Sequence, residues 1–434
     1  MKNKKFKLIK EDKIFNIGYA KFYNLLKNNL NIILLENKIA PLVSFQIWYD
    51  VGSGDEINDI KTGQAHFLEH MMFRGTKKHP QGVFDTLLDS AGGSGSNAFT
   101  SMDFTAYTVD LPSNELELII KLESDRMKNL NINSENLNLE RGAILNERSL
   151  RVDDDPNGYS WELLLNSIYR GTSYQHDTIG SISDIENISV EDCNNFYSKY
   201  YSPNNATIVI TGDFNENKTL DLIDKYFSPI EKSNIVKNKF DSFDIAPNNK
   251  VINKEFNILF DKFLIGYQAT SFTHTDFFKL KLLSIMLTDT KTAFLKKEYI
   301  DTDKLVSINT DILYLKNPSI FIIDGTLKTI NKSDFLEDLD YKLNNFIKNL
   351  SKNDLLIAKN KFKIDLTVSF SNNYKISSLF GESISLTSLP FYIYDKLNEI
   401  ETITISDIKT VFQKYIQAKN RVTILLSKRN NDKI

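Results

Sequence analysis

Two of the chain's five histidines stand four residues apart, in Gly63-Gln64-Ala65-His66-Phe67-Leu68-Glu69-His70-Met71-Met72-Phe73. On a helix, residues i and i+4 project from one face, so His66 and His70 can hold one metal ion between their imidazoles. Glu69 falls about 60° around the helix from His66 and flanks the same face, where a carboxylate can act as a general base beside the ion. Phe67, Leu68, Met71, Met72 and Phe73 bury the other faces and give the pair a dry mount. Two imidazoles are not enough, because a catalytic zinc takes three protein ligands, commonly two His and a Glu, and keeps a position open. The stretch Asn138-Leu139-Glu140-Arg141-Gly142-Ala143-Ile144-Leu145-Asn146-Glu147-Arg148 offers two carboxylates. Glu140 and Glu147 are two helical turns apart and share a face, with Ala143 and Ile144 placed to pack against the histidine helix. One can ligate the metal while the other orients a histidine through its Nδ1–H. The competing arrangement is an exposed acidic stripe paired with Arg141 and Arg148.

These residues need elements to hold them. Residues 31–36 and 42–51 are β-rich and partly alternating, which predicts a pair of strands. Gly52, Gly54 and the polar run to Gly63 make a loop, followed by a helix over 64–73. A short helix is expected at 83–91, a strand at 98–110, and helices at 114–130 and 134–151, the former from the spacing of Leu116, Leu118, Ile119, Leu122 and Met127. Asp153-Asp154-Asp155-Pro156 breaks the last of these; lacking the alternating oxygens of a calcium loop, it is expected to be a solvated turn. A strand follows at 206–212. In the second half, 257–267, 319–326 and 421–426 are strand-like, and 332–349 and 352–369 are helical. The order strand, helix, strand, helix pair, strand thus occurs twice, which predicts an α+β chain of two homologous domains. Their expected limits are 1–228 and 251–434, with the polar, turn-rich stretch 229–250 as linker.

Composition narrows the functional classes. At 434 residues, 41% hydrophobic and 25% charged, the chain fits two globular domains. Fifty-three Lys+Arg against 56 Asp+Glu leave a net charge of −3, which argues against a nucleic-acid-coating protein. No stretch approaches the roughly 20 apolar residues that span a bilayer. No apolar segment follows the basic N-terminus, so no signal peptide is visible; this implies the cytoplasm, or the periplasm if the sequence is a processed form. The single cysteine, Cys193, excludes an internal disulfide and a cysteine zinc cluster, and is expected to be a small buried side chain. Gly92-Gly93-Ser94-Gly95-Ser96-Asn97 lacks the Gly-Lys-Ser/Thr ending of a phosphate loop and is expected to be a flexible entry to the strand that follows. His79, His176 and His274 show no ligand spacing and are expected to be solvated or locally hydrogen-bonded.

His66-x-x-Glu69-His70 followed by Glu147, 77 residues after the second histidine, resembles the inverted-zincin metallopeptidases, the pitrilysin, insulysin and mitochondrial-processing-peptidase family. The likeness extends through Gly63 to Thr76, through Asn97-Ala98-Phe99-Thr100-Ser101-x-Asp103-x-Thr105-x-Tyr107, through Glu140-(x)6-Glu147, and through Tyr201-x-Pro203-Asn204-Asn205-Ala206, covering most of residues 40–215. The second half resembles the family only in length and pattern. The resemblance implies one zinc held by His66, His70 and Glu147, with Glu69 as catalytic base and Glu140 as an outer carboxylate. It places Asn97, Ala98 and Phe99 on the edge strand to which a peptide substrate adds, and makes each sheet-and-helix domain part of a clamshell chamber. The activity implied is that of a zinc endopeptidase on short unfolded peptides. Some relatives are non-catalytic scaffold subunits, which commonly degrade the motif that is intact here.

The chain also departs from the family. Family peptidases use an Arg and, seven residues later, a Tyr in the second half or in a partner subunit. The nearest stretch here, from Leu295-Lys296-Lys297 to Ser307, has no Tyr seven residues after either lysine, and no arginine lies between 170 and 421. Lysine does not reproduce a guanidinium fork. Two domains also fall short of the four that close a chamber. The resemblance therefore implies the zinc-bearing subunit of a heterodimer whose zinc-less paralogue supplies Arg and Tyr, with a homodimer as the alternative.

Overall fold

The structure, a computed structural model, describes residues 4–58, 60–235 and 249–429. Among them β1 (Phe6–Ile14), β2 (Gly18–Leu25), β3 (Leu30–Glu36), β4 (Leu42–Tyr49), β5 (Ser94–Thr100), β6 (Thr105–Pro112) and β7 (Ala206–Gly212) form one sheet in the order β1-β2-β3-β7-β4-β6-β5. A second sheet joins β8 (Lys250–Phe256), β9 (Lys262–Gln268), β10 (Leu305–Ile312), β11 (Ile320–Leu327) and β12 (Arg421–Lys428) in the order β10-β11-β9-β12-β8. Read from its β8 edge, the second sheet repeats β3-β7-β4-β6-β5 strand for strand. In each, the first pair is parallel and the remaining pairs are antiparallel. The fold is α+β and the duplication lies in its topology.

Several expectations need correction. The strands at 31–36 and 42–51 exist but do not pair, because β7 lies between them. Buried at all seven positions and rich in Val and Ile, β7 takes the centre of the sheet, which a strand covered on both faces favours. The expected strand 98–110 is two, β5 and β6, turned at Ser101, whose Oγ accepts from the Asp103 and Phe104 amides at 3.1 and 3.2 Å. The helix expected to 151 ends at Arg148 and passes into a wider turn over Ser149–Asp153. β1, β2 and β10 escaped notice because charged and polar residues interrupt their apolar positions. The helices Asn373–Thr387, Tyr392–Thr402 and Ile405–Tyr415 were not anticipated either. Of the expected linker 229–250, residues 236–248 lie outside the described residues, and Lys250 already opens β8.

The chain forms two compact units that interleave in sequence. One comprises the described residues of 1–147, 178–239 and 369–393; the other, those of 148–177, 240–368 and 394–434. The first sheet is therefore covered by the late helix Asn373–Thr387, which lies on β4 and β7. There Gly381 meets Trp48 so closely that a Cβ would stand 2.1 Å from the indole. Gln46 donates to the Tyr374 carbonyl and accepts from Trp48 Nε1, at 3.1 and 3.0 Å. The second sheet is covered by the early helix Pro156–Ile168, capped by Asp155, which accepts from the Gly158 amide at 2.8 Å. The acidic triplet is thus a helix start, with Asp155 its N-cap.

Within the first unit the histidine helix, Gln64–Met71, begins at a constrained point. Gly63 has φ +83°, and a Cβ there would lie 2.3 Å from the Ile179 carbonyl oxygen, so only glycine fits. The buried Glu56 carboxylate accepts from the Gly63 and Ala65 amides at 2.8 and 2.7 Å, satisfying donors that a helix start leaves open. Burial pushes the Glu56 carboxyl well above its ordinary value, against the opposing pull of these two amides. Glu56→Gln keeps the shape but turns an NH2 toward one of the donors. It is expected to lower stability by about 2 kcal/mol, read from the urea midpoint.

Candidate metal centre

His66 and His70 come from the first and second turns of the Gln64–Met71 helix, their ring centroids 4.7 Å apart and their planes inclined at 67°. Glu147, near the end of the helix Ser134–Arg148, places Oε2 3.3 Å from His70 Nε2 and 3.7 Å from His66 Nε2. One donor atom from each of the three lies within 4.8 Å of the others, the one such grouping of three among the described residues. Tetrahedral ligands at zinc–nitrogen and zinc–oxygen bond lengths stand about 3.4 Å apart, so this spacing fits a single ion of that size.

Glu140, two turns before Glu147, is 5% exposed, and its Oε2 lies 2.9 Å from His70 Nδ1. Its Oε1 accepts from Arg74 Nε. A carboxylate at Nδ1 holds the proton there and turns the Nε2 lone pair toward Glu147. Burial disfavours a charged His70, yet its bonds to Glu140 and Glu147 outweigh that and raise its pKa to about 9. Two carboxylates thus ask for positive charge at this imidazole, a demand that a dication at Nε2 meets as well as a proton. Glu140 is held below its ordinary value: burial raises it, but His70 and Arg74 more than compensate. The acidic-stripe alternative does not hold, since Arg141 instead donates to the Ile185 and Ile188 carbonyls and Arg148 to Asp153 and Glu162. Ile144 is buried as expected, whereas Ala143 is exposed.

Glu69 is 8% exposed and accepts from Thr100 Oγ1 at 2.5 Å. Thr100 ends β5, the edge strand next to the histidine helix. On the same strand Asn97 is exposed, while Ala98 and Phe99 are half-buried. Their backbones pair with Thr108, Tyr107 and Ala106 on one side, and no described strand pairs with the other side. The Phe99 ring packs edge-on against Trp48 at 5.4 Å.

The remaining candidates fall outside this cluster. His79 Nδ1 meets Asp125 at 2.9 Å, His176 Nδ1 meets the Asp177 carbonyl, and His274 accepts from the Asp276 amide. Cys193 is fully buried, and burial pushes its thiol up to about 12. In the second unit Tyr299 is buried against Phe335, and Ser307 lies on β10. Arg74, Thr100 and Glu56 were missed. Arg74 had a signal, for it continues the four-residue series of 66 and 70. Thr100 and Glu56 meet their partners only through tertiary structure.

Residues 32–181 match the family described as insulinase (peptidase family M16), and residues 187–362 match the peptidase M16 inactive domain. The chain is 28% identical over 413 residues to the zinc protease PqqE of Helicobacter pylori, covering 92% of this chain and 91% of that protein. It is 24% identical to the mitochondrial-processing peptidase subunit beta of Dictyostelium discoideum, covering 87% and 83%. Its fold is similar to the crystal structure of a protease from Helicobacter pylori, with a TM-score of 0.84, 26% identity, and 94% and 99% of the two chains covered. No described helix is long and apolar enough to cross a membrane. With both of its halves matched and a relative aligned along nearly its whole length, the chain belongs to peptidase family M16.

Proposed function

We propose that this chain is a zinc-dependent endopeptidase of family M16. The observation that carries the reading is the convergence of His66 Nε2, His70 Nε2 and Glu147 Oε2. Two neutral imidazoles and one carboxylate would hold zinc at a net charge of +1 with a position to spare, and the ion would supply Lewis acidity toward water and the scissile carbonyl. Glu140, fixed by Arg74, holds the proton on His70 Nδ1 and keeps that ring in place. The peptide backbone adds to the open side of β5 along Asn97, Ala98 and Phe99, which brings it next to the histidine helix. Glu69, nearly dry and held at Oε2, takes the proton of the attacking water and delivers it to the leaving amine nitrogen.

The metal-bearing first half and the second half, whose described residues hold no such donor group, are two homologous domains of one subunit. Its partner is a zinc-less family chain supplying the Arg and Tyr that this sequence lacks, a second copy being the alternative. A relative that is named as a subunit supports the association. A non-catalytic scaffold role finds support in the inactive-domain match of the second half. A complete donor set with a dry carboxylate beside it favours the enzyme.

Glu69→Gln is expected to lower hydrolysis of a quenched-fluorescent peptide about 10³-fold while the chain still binds one zinc. Retained turnover in that variant would exclude Glu69 as the base. Glu140→Gln leaves His70 poorly oriented and is expected to weaken zinc binding about 10- to 100-fold in competition with a chelator. Wild-type affinity in that variant would instead make Glu140 a bystander.

A further inference from the structure

We propose that Thr100 is a positioning residue for Glu69, tying the strand that receives a peptide to the carboxylate that moves its protons. The catalytic half of this inference rests on the peptidase reading; the contact itself does not. A threonine hydroxyl carries one proton, and an ionised carboxylate can only accept. At 2.5 Å the Thr100 proton therefore lies toward Glu69 Oε2. The neighbouring hydroxyl does not compete for it. Thr105, opposite Thr100 in the β5–β6 pair, gives its own proton to the Val51 carbonyl at 2.9 Å and stands 3.5 Å from Thr100 Oγ1.

Behind this contact lies a buried, packed wall. Thr105 is fully buried, and two residues on along β6 the Tyr107 phenol meets the Tyr201 phenol at 3.1 Å. Tyr201 stacks on Tyr49 with centroids 4.2 Å apart. Tyr107 is covered by the Arg126 guanidinium at 4.3 Å, itself paired with buried Glu123 at 2.6 Å. Through its β6 neighbours Thr105 and Tyr107, the strand that carries Thr100 is thus backed by an aromatic core. Glutamate turns about three side-chain bonds, and one short hydrogen bond from a fixed strand residue removes most of that freedom at the carboxylate. Because Thr100 belongs to β5 by its backbone, pairing of a peptide on that strand also stiffens the anchor of the base.

The test uses the full chain with Thr100→Val, which keeps the branched shape without the hydroxyl, and Thr100→Ser, which keeps the hydroxyl. Zinc-loaded Thr100→Val is expected to lose about tenfold in kcat on a quenched-fluorescent peptide, with KM and zinc content within twofold of wild type. Thr100→Ser is expected to stay within threefold of wild type. The second readout needs no turnover: Thr100→Val is expected to shift Tm in the wild-type chain and to leave it unchanged in the Glu69→Ala background. Unaltered kcat in Thr100→Val, or equal Tm shifts in both backgrounds, would overturn the assignment. A wild-type chain that binds zinc and cleaves no peptide, yet shows unequal Tm shifts, would leave the Thr100–Glu69 contact standing and place the peptidase activity in the complex with the zinc-less partner rather than in this chain alone.

Discussion

Glu140 is a carboxylate taken almost entirely out of water, and the geometry around the metal donors follows from what it takes to keep it there. An ion buried without compensation costs several kcal/mol, so Glu140 requires charge-assisted partners. Both come from one place, His70 on the histidine helix and Arg74 in the turn that follows it. Satisfying Glu140 sets the register between two helices that meet from distant parts of the chain. Once that register is set, Glu147 arrives two turns further along at the Nε2 atoms of both imidazoles. The other end of the histidine helix is fixed by Glu56 and by the glycine contact at Gly63, so it is held at both termini by buried carboxylates.

Spacing within single elements made part of this legible in the sequence. The four-residue step from His66 to His70 and the seven-residue step from Glu140 to Glu147 are properties of one helix each, and a periodic pattern reports them directly. Contacts between elements leave no such trace. Nothing local to Thr100 says that it faces Glu69, and nothing local to Glu56 says that it closes a helix start seven residues on. The same limit governed the sheet. β3 and β4 look like neighbours because they are adjacent in the chain, but the centre went to β7, which comes far later and is apolar on both faces. Where charge interrupts the apolar period, as in β1 and β10, the strand itself was hidden.

The repeated strand order separates what the fold provides from what the site requires. After β4 the first unit builds the short helix with its two histidines. After β9, in the matching place of the second, comes Phe277–Thr288, Phe-Phe-Lys-Leu-Lys-Leu-Leu-Ser-Ile-Met-Leu-Thr, buried at ten of its twelve positions and without a histidine. One copy of the architecture spends that helix on donors, and the other spends it on core. The donor set is therefore a matter of a few side chains grafted on one repeat.

The helix that covers Trp48 is synthesised roughly three hundred residues after it, which at ribosomal speed is tens of seconds. Through that interval the face of β4 and β7 destined for Asn373–Thr387 has no permanent cover, while Pro156–Ile168 emerges before any strand of the sheet that it will cover. Each sheet is completed by the other half of the message. The nascent chain must therefore shelter an apolar surface until residues 373–387 have been made, and a ribosome that stalls before them leaves a product with that face of Trp48 uncovered. For this architecture, residues 373–387 are a folding requirement of the first sheet.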